Sequence, residues 1–472
     1  MHTLDKRLIL SVLLIILIFR FILFYYFPGT SGDEEAYFNF AKNIAEGCGF
    51  SMLKLDSDQC GALNYGVYFP GYPFFISLFT YLFSDDSDIK FCIIFSTNLI
   101  FCISLKFLYE KLLLVSKSEK ACLFFILLIG LNPLVIGYSR YILTENLVNS
   151  LLIFILSNFI NFDVHSRKQR YITILYIVAA TYIRPDSILI LLLFILPIFK
   201  LNNLKKIIII NLEILLITSI LISPWLVREY LGSGQILSMT RTSDKPFEGY
   251  RKWVKSWAVI EYEWAAATYP SSIRDFKFPE ENFFISKQEI ENAKKLIDNS
   301  ENNKFSKETD IDFNELADAI NSKKGILEKF SFFSIKSILI ILSPTSTHGL
   351  PLSLDITNEE RIIILSKILN FNIKEIFGNI YIYNFVARIL IMIYKIILII
   401  FTFLLILKYY NIILNNNFEI FNFIFLFSMR LIFLSHLDWI EHRYMSPYFI
   451  LLETAIFINF YRKESNLRLR NN

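Results

Sequence analysis

Apolar residues run in long blocks along almost the whole chain, and a short polar segment closes each block. The blocks cover about 8–27, 91–109, 121–138, 147–161, 171–183, 187–199, 207–226, 380–408, 416–435 and 446–461. Most come near the roughly 20 residues a helix needs to cross hydrocarbon, so the pattern predicts membrane-spanning helices. The block at 380–408 is long enough for a strongly tilted span. Two further apolar stretches, 70–83 and 331–343, are too short to cross comfortably and predict helices lying at the interface. The first begins Pro70-Gly71-Tyr72-Pro73, a rigid helix-initiating start. Counted this way the chain has ten spans, or twelve if both short stretches cross.

The polar segments set the sides. Lys6 and Arg7 precede the first span, and Lys106, Lys111, Lys117 and Lys120 lie around the end of the second. His165, Arg167, Lys168 and Arg170 follow the fourth, Lys200, Lys205 and Lys206 the sixth, and Arg462, Lys463, Arg468 and Arg470 form the tail. Cytoplasmic loops carry the Lys and Arg excess, so both termini are predicted to be cytoplasmic. The other side collects the acidic and mixed segments. The first outer segment, 28–90, holds Asp56, Asp58, Asp85, Asp86 and Asp88. The expected organisation is a transmembrane module 1–226 containing that loop, an outer soluble and interfacial module 227–379, and C-terminal spans in 380–472. Helices are predicted at 286–299 and 311–329 of the outer module.

Composition fits this class. The 472 residues are 54% hydrophobic with mean hydropathy +0.47, well above a soluble domain. The 8–27 block is long and lacks a small-residue cleavage site, so it reads as a span and not as a cleaved signal. No nucleotide fingerprint or P-loop is present, and nothing points to nucleic acid. The five histidines show no metal spacing. Cys92, Cys102 and Cys122 lie in or beside apolar blocks as small buried hydrophobes, whereas Cys48 and Cys60 share the first outer loop and can pair in an oxidising compartment.

The candidate chemistry starts at Gly32-Asp33-Glu34-Glu35-Ala36-Tyr37. Three consecutive carboxylates stand where the first span leaves the bilayer, which suits work on a lipid-borne substrate and equally suits a solvated acidic loop. The sides of the other charges add weight to the first reading. Arg140, Glu145, Arg184, Asp186 and Arg443 all fall at outer ends of spans, where charges pair or line a polar cavity.

Four stretches resemble the C-type integral-membrane glycosyltransferases, in the branch with the protein mannosyltransferases and the aminoarabinose transferase of lipid A. They are Gly32–Tyr37 with Ala41 and Gly47; Tyr68-Phe69-Pro70-Gly71-Tyr72-Pro73; Arg140-Tyr141 through Thr144-Glu145 with Tyr182-Ile183-Arg184-Pro185; and Ser223-Pro224-Trp225 with Arg228, then Arg443-Tyr444. The resemblance implies an all-α polytopic bundle of the GT-C kind with an outer soluble module. It implies transfer of a sugar from a polyprenyl-phosphate donor to a hydroxyl of a lipid, glycan or protein acceptor, on the outer face of the cytoplasmic membrane and with inversion. It places the essential carboxylate at Asp33, with Glu34 beside it, and phosphate or substrate contacts at Arg184, Arg443, Arg140, Glu145 and Tyr72. The family's second acidic pair has no clear counterpart, and Glu145 is the nearest by position. The donor's phosphate is already a stable anion on leaving, so no metal is required, although adjacent carboxylates could hold a divalent ion as in the related oligosaccharyl transferases. A transporter or flippase of lipid-linked or small substrates, or a non-catalytic scaffold displaying the outer module, are the competing readings.

Overall fold

The computed structural model of the protein describes residues 6–29, 32–51, 60, 63, 69–194, 204–233, 248–258, 286–298, 307–342, 380–416, 418–436 and 445–470. Regular structure among these residues is helical, apart from an isolated antiparallel bridge between Ser51 and Leu63. The chain is an all-α bundle of membrane-type helices. Among the described residues four helices are long and apolar enough to cross a membrane, or five if one bent pair counts as a span.

Helix α1 (Lys6–Tyr26) fills the first apolar block. Two shorter helices follow, α2 (Gly32–Ala45) and α3 (Gly71–Leu82), and they pack on each other. Helix α4 (Asp86–Ser116) is 31 residues long, about 46 Å at 1.5 Å per residue, and so overshoots the hydrocarbon. The apolar block alone predicted 91–109. The helix starts earlier because the Asp85 carboxylate caps it, accepting from the Ser87 and Asp88 N–H groups at 2.8 and 3.2 Å. Those two N–H groups also hold the Asp85 carboxyl below its ordinary range.

The expected single helix over 121–138 is broken. It forms α5 (Glu119–Gly130) and a short α6 (Pro133–Ile136) that runs into a 3-10 turn, Gly137–Arg140, with a bend of 41°. Pro133 has no N–H to continue the ladder, and the Asn132 side chain takes the Leu134 N–H at 2.8 Å. Helices α7 (Thr144–Phe159) and α8 (Arg167–Ile183) follow. The next expected span, 187–199, is a 3-10 helix over Pro185–Phe194 where it is described. Helix α9 (Leu204–Ser233) continues through Pro224 and past the predicted end at 226.

The stretch between α9 and the last spans holds α10 (Glu248–Trp257), α11 (Lys287–Asp298), α12 (Lys307–Lys323) and α13 (Ile326–Leu342). The predicted 311–329 helix therefore divides near Gly325, and α13 takes in the stretch read as interfacial. Helices α10 and α12 touch so closely that a Cβ at Gly249 would collide with the Asp310 carbonyl oxygen. The Gly249 and Tyr250 N–H groups donate to the Asp310 carboxylate at 3.0 Å each, and Tyr250, Trp253 and Phe313 pack their rings together beside them. The chain closes with α14 (Ile380–Asn416), α15 (Phe418–His436), a 3-10 turn at Ser446–Tyr448 and α16 (Phe449–Arg470).

Helix α7 sits between α4 and α8, α1 leans on α4 and α5, and α16 returns against α4 and α15. One apolar cluster, including Ile16, Phe101, Ile126, Leu152, Phe423 and Ile450, joins the N-terminal and C-terminal helices. Not all charges sit at helix ends as the sequence pattern suggested. Arg20, within α1, is fully buried and donates at 3.0 Å to both Asn98 and Asn146. Glu453 of α16 accepts from Asn132 at the α5–α6 break and from Tyr394, each at 2.5 Å.

Candidate active site

The acidic turn opens α2. Carboxylates are favourable in the first turn of a helix, where the backbone N–H groups carry partial positive charge. Successive residues are rotated by about 100°, so the three acids meet different surroundings. Glu34 is buried and forms an ion pair with Lys90 of α4 at 2.7 Å. Asp33 is half-buried and Glu35 faces solvent. Lys42, later in α2, binds Asp86 at 2.8 Å, so α2 is tied to the start of α4 at two points.

The opposite wall of this region is the start of α3. Gly71 lets it approach the last turn of α8, because a Cβ there would lie 2.7 Å from the Tyr182 carbonyl group. Tyr72 is thereby enclosed. It is fully buried, its ring meets Tyr37 of α2 edge-on at 5.0 Å, and its hydroxyl makes no hydrogen bond among the described residues. Burial pushes the Tyr72 hydroxyl well above the ordinary phenol range, and the nearby charges of Glu145 and Glu34 push it the same way. Tyr72 thus packs between α2 and the first turn of α7, in one cluster with Phe38 and Leu147.

Beyond Tyr72 lies a buried ionic chain. Arg184, at the end of α8, approaches Glu145 at 3.6 Å and donates through Nε and Nη2 to the Asp186 carboxylate at 3.3 and 2.9 Å. Arg430 of α15 donates through Nη2 to the same Asp186 oxygen, Oδ2, that takes the Arg184 Nη2. The Arg430 guanidinium also faces the Tyr448 ring at 5.0 Å. Four separated parts of the chain therefore meet at one end of the bundle: α7, the α8 exit, α15 and the turn before α16.

The remaining candidates divide. Arg140 is buried and donates to the Phe27 carbonyl and the Tyr141 hydroxyl, each at 2.7 Å, which brackets the end of α1 to the turn before α7. Cys48 and Cys60 form a disulfide. Just past Cys48, Phe50 stacks on Phe40 and meets Trp225 edge-on, and the Arg228 guanidinium lies over Trp225 at 4.5 Å. Arg443 lies outside the described residues, as do Asp438, Glu441, His442 and the His436 side chain. Among the described residues no group of three or more His, Cys, Asp or Glu side chains could hold a metal ion.

Sequence reasoning missed Lys90 and Arg430. Lys90 directly precedes the apolar block 91–109, where a basic residue gives no signal of a partner. Arg430 sat inside one, and that was the available signal, because an arginine in a spanning segment must find a partner.

No family model matches the chain, and no curated protein matches it. Solved structures align over nearly all of it. One is the archaeal oligosaccharyltransferase AglB from Archaeoglobus fulgidus, in complex with an inhibitory peptide and a dolichol-phosphate. It shares 12% identity at a TM-score of 0.44, covering 97% of this chain and 50% of that one. ArnT from Cupriavidus metallidurans, bound to undecaprenyl phosphate, shares 10% identity at a TM-score of 0.39, covering 99% of this chain and 79% of that one. The chain spans about half the length of AglB.

Proposed function

We propose that this protein is a membrane glycosyltransferase that moves a sugar from a polyprenyl-phosphate donor to an acceptor hydroxyl at the extracytoplasmic face, with inversion. The supporting observation is that Tyr72 packs in one apolar cluster with Tyr37 and Phe38 of the acidic helix α2, with Leu147 near Glu145 and with Ile183 beside Arg184. Carboxylate and guanidinium thus come together at the bundle end where a lipid-linked anomeric carbon would sit. An acceptor hydroxyl is a weak nucleophile and must lose its proton as it attacks that carbon. Asp33 is the proposed base: it is half-buried, so substrate can reach it, whereas Glu34 is neutralised by Lys90. The departing lipid phosphate gathers charge that an arginine can hold with paired hydrogen bonds, the role proposed for Arg184 and Arg443.

A transporter would need broken helices lined by unengaged polar groups near mid-membrane. The α5–α6 break is such a bend, but Asn132 and Glu453 there bind each other.

The test is Asp33→Asn in purified protein supplied with labelled polyprenyl-phosphate sugars. Turnover is expected to fall about a hundredfold or more, the usual worth of a positioned base, with donor binding nearly intact. Glu35→Gln is expected to cost far less. A dead Glu34→Gln variant beside an active Asp33→Asn variant would move the base to Glu34. Wild-type protein that transfers no sugar from any such donor would end the proposal.

A further inference from the structure

Arg430 is fully buried within an apolar helix, and its partner Asp186 is 244 residues away in sequence. Asp186 is shared. Arg184 donates to both of its carboxylate oxygens, and Arg430 shares Oδ2 with it. Arg430 also reaches the Asp186 backbone carbonyl at 3.5 Å, and its plane is flanked by Tyr448 at 5.0 Å and Phe433 at 5.7 Å. The aromatic faces and the planar fork together fix the guanidinium in one orientation.

The charges around Arg184 decide what this arrangement does. Arg184 and Arg430 carry two positive charges, and Asp186 and Glu145 carry two negative ones, so the cluster is neutral. Without Arg430 it would carry one net negative charge. The Asp186 charge would then act on Arg184 alone, and an approaching phosphate would meet repulsion in a region of low dielectric. With Arg430 present, the Asp186 charge is shared by two cations through Oδ2, while Arg184 turns Nη1 to Glu145. We infer that Arg430 is a positioning residue: through Asp186 it holds Arg184 in the orientation and charge balance that accept the phosphate of a lipid-linked donor. This inference rests on the proposed function, since it assigns Arg184 to the donor phosphate. Neither arginine needs to move for the arrangement to work, and Arg430 itself need not touch the ligand. Lysine at 430 would keep the charge and lose the fork.

The experiment uses the full chain in nanodiscs, with undecaprenyl phosphate as the binding probe and a polyprenyl-phosphate sugar for kinetics. Arg430→Gln is expected to raise the probe Kd and the donor KM by at least about thirtyfold, the scale on which truncating one partner of a buried charge pair acts. Its kcat is expected to change little. Arg430→Lys should recover part of the affinity. The double variant Asp186→Asn with Arg430→Gln should recover most of it, because Arg184 and Glu145 then balance again. Should Arg430→Gln fail to fold, the double variant and Arg430→Lys still report. A double variant that melts like the wild type yet binds the probe as weakly as a vesicle control would overturn the inference, and so would unchanged Kd in Arg430→Gln. In either case Arg430 is only a brace between helices. A wild-type protein that neither binds the probe nor transfers sugar would remove the proposed function, and this inference with it.

Discussion

Gly71→Ala puts a methyl group where the structure has backbone. The new Cβ would lie 2.7 Å from both the carbonyl carbon and the oxygen of Tyr182, and 2.9 Å from the Ile183 nitrogen. Carbon atoms pack near 3.5 Å, so α3 and the α8 exit must separate by roughly 0.8 Å. No flexible side chain can absorb this, because the opposing atoms are the last turn of a helix that is itself fixed. The Tyr182 hydroxyl donates to the Leu221 carbonyl at 2.7 Å, and two residues later Arg184 enters its ionic chain. Overpacking of this kind costs about 1–3 kcal/mol. The larger effect should be on function: Tyr72 is the next residue, and a displacement of about 1 Å in a positioned site lowers a rate on the order of a hundredfold. The assay is sugar transfer together with thermal melting in detergent. Gly325→Ala serves as control, because nothing lies within 4 Å of a Cβ there and surface changes usually stay within about 0.5 kcal/mol. If the Gly71→Ala and Gly325→Ala proteins melt and turn over alike, then α3 does not press on α8 and the enclosure of Tyr72 is wrong.

Three further outcomes are expected. Reducing the Cys48–Cys60 disulfide should cost about 3 kcal/mol by loop-closure entropy across its separation of 12 residues, read as lower resistance of the segment between α2 and α3 to protease; equal cleavage with and without reductant would contradict this. Arg20→Ala would strip Asn98 and Asn146 of a shared donor and open space over the Phe101 ring, a loss on the order of 3 kcal/mol seen in melting; a variant as stable as wild type would show that the network carries no weight. Lys324 donates to the Ser256 carbonyl, and burial lowers its pKa from 10.5 to about 8 against the opposing pull of Glu328 and Glu289. The unfolded chain therefore holds this proton more tightly, so the burial penalty is full below pH 8 and is relieved as pH rises from about 8 towards 10.5. The stability of the α10–α13 helices should rise across that window in urea melts followed by Trp253 and Trp257 fluorescence, and Lys324→Met should flatten the slope.

The sequence by itself determined the class of the protein and the place of its acidic turn. Both follow from local properties: runs of apolar residues must avoid water, and Asp33–Glu35 must stand where the first run ends. The limits of α1, α11 and α15 were likewise legible, because hydrophobic runs and helix-forming segments are short-range signals. The break at Asn132–Pro133 could have been read from the proline alone, but not its 41° bend, which depends on what packs around it. Only the tertiary structure decided which carboxylate of the triplet is buried, since Glu34 is singled out by Lys90, more than fifty residues on. It alone joined Arg184 and Asp186 to Arg430. An ion pair inside a bundle is set by which helices lie side by side, and no spacing along the chain encodes that neighbourhood.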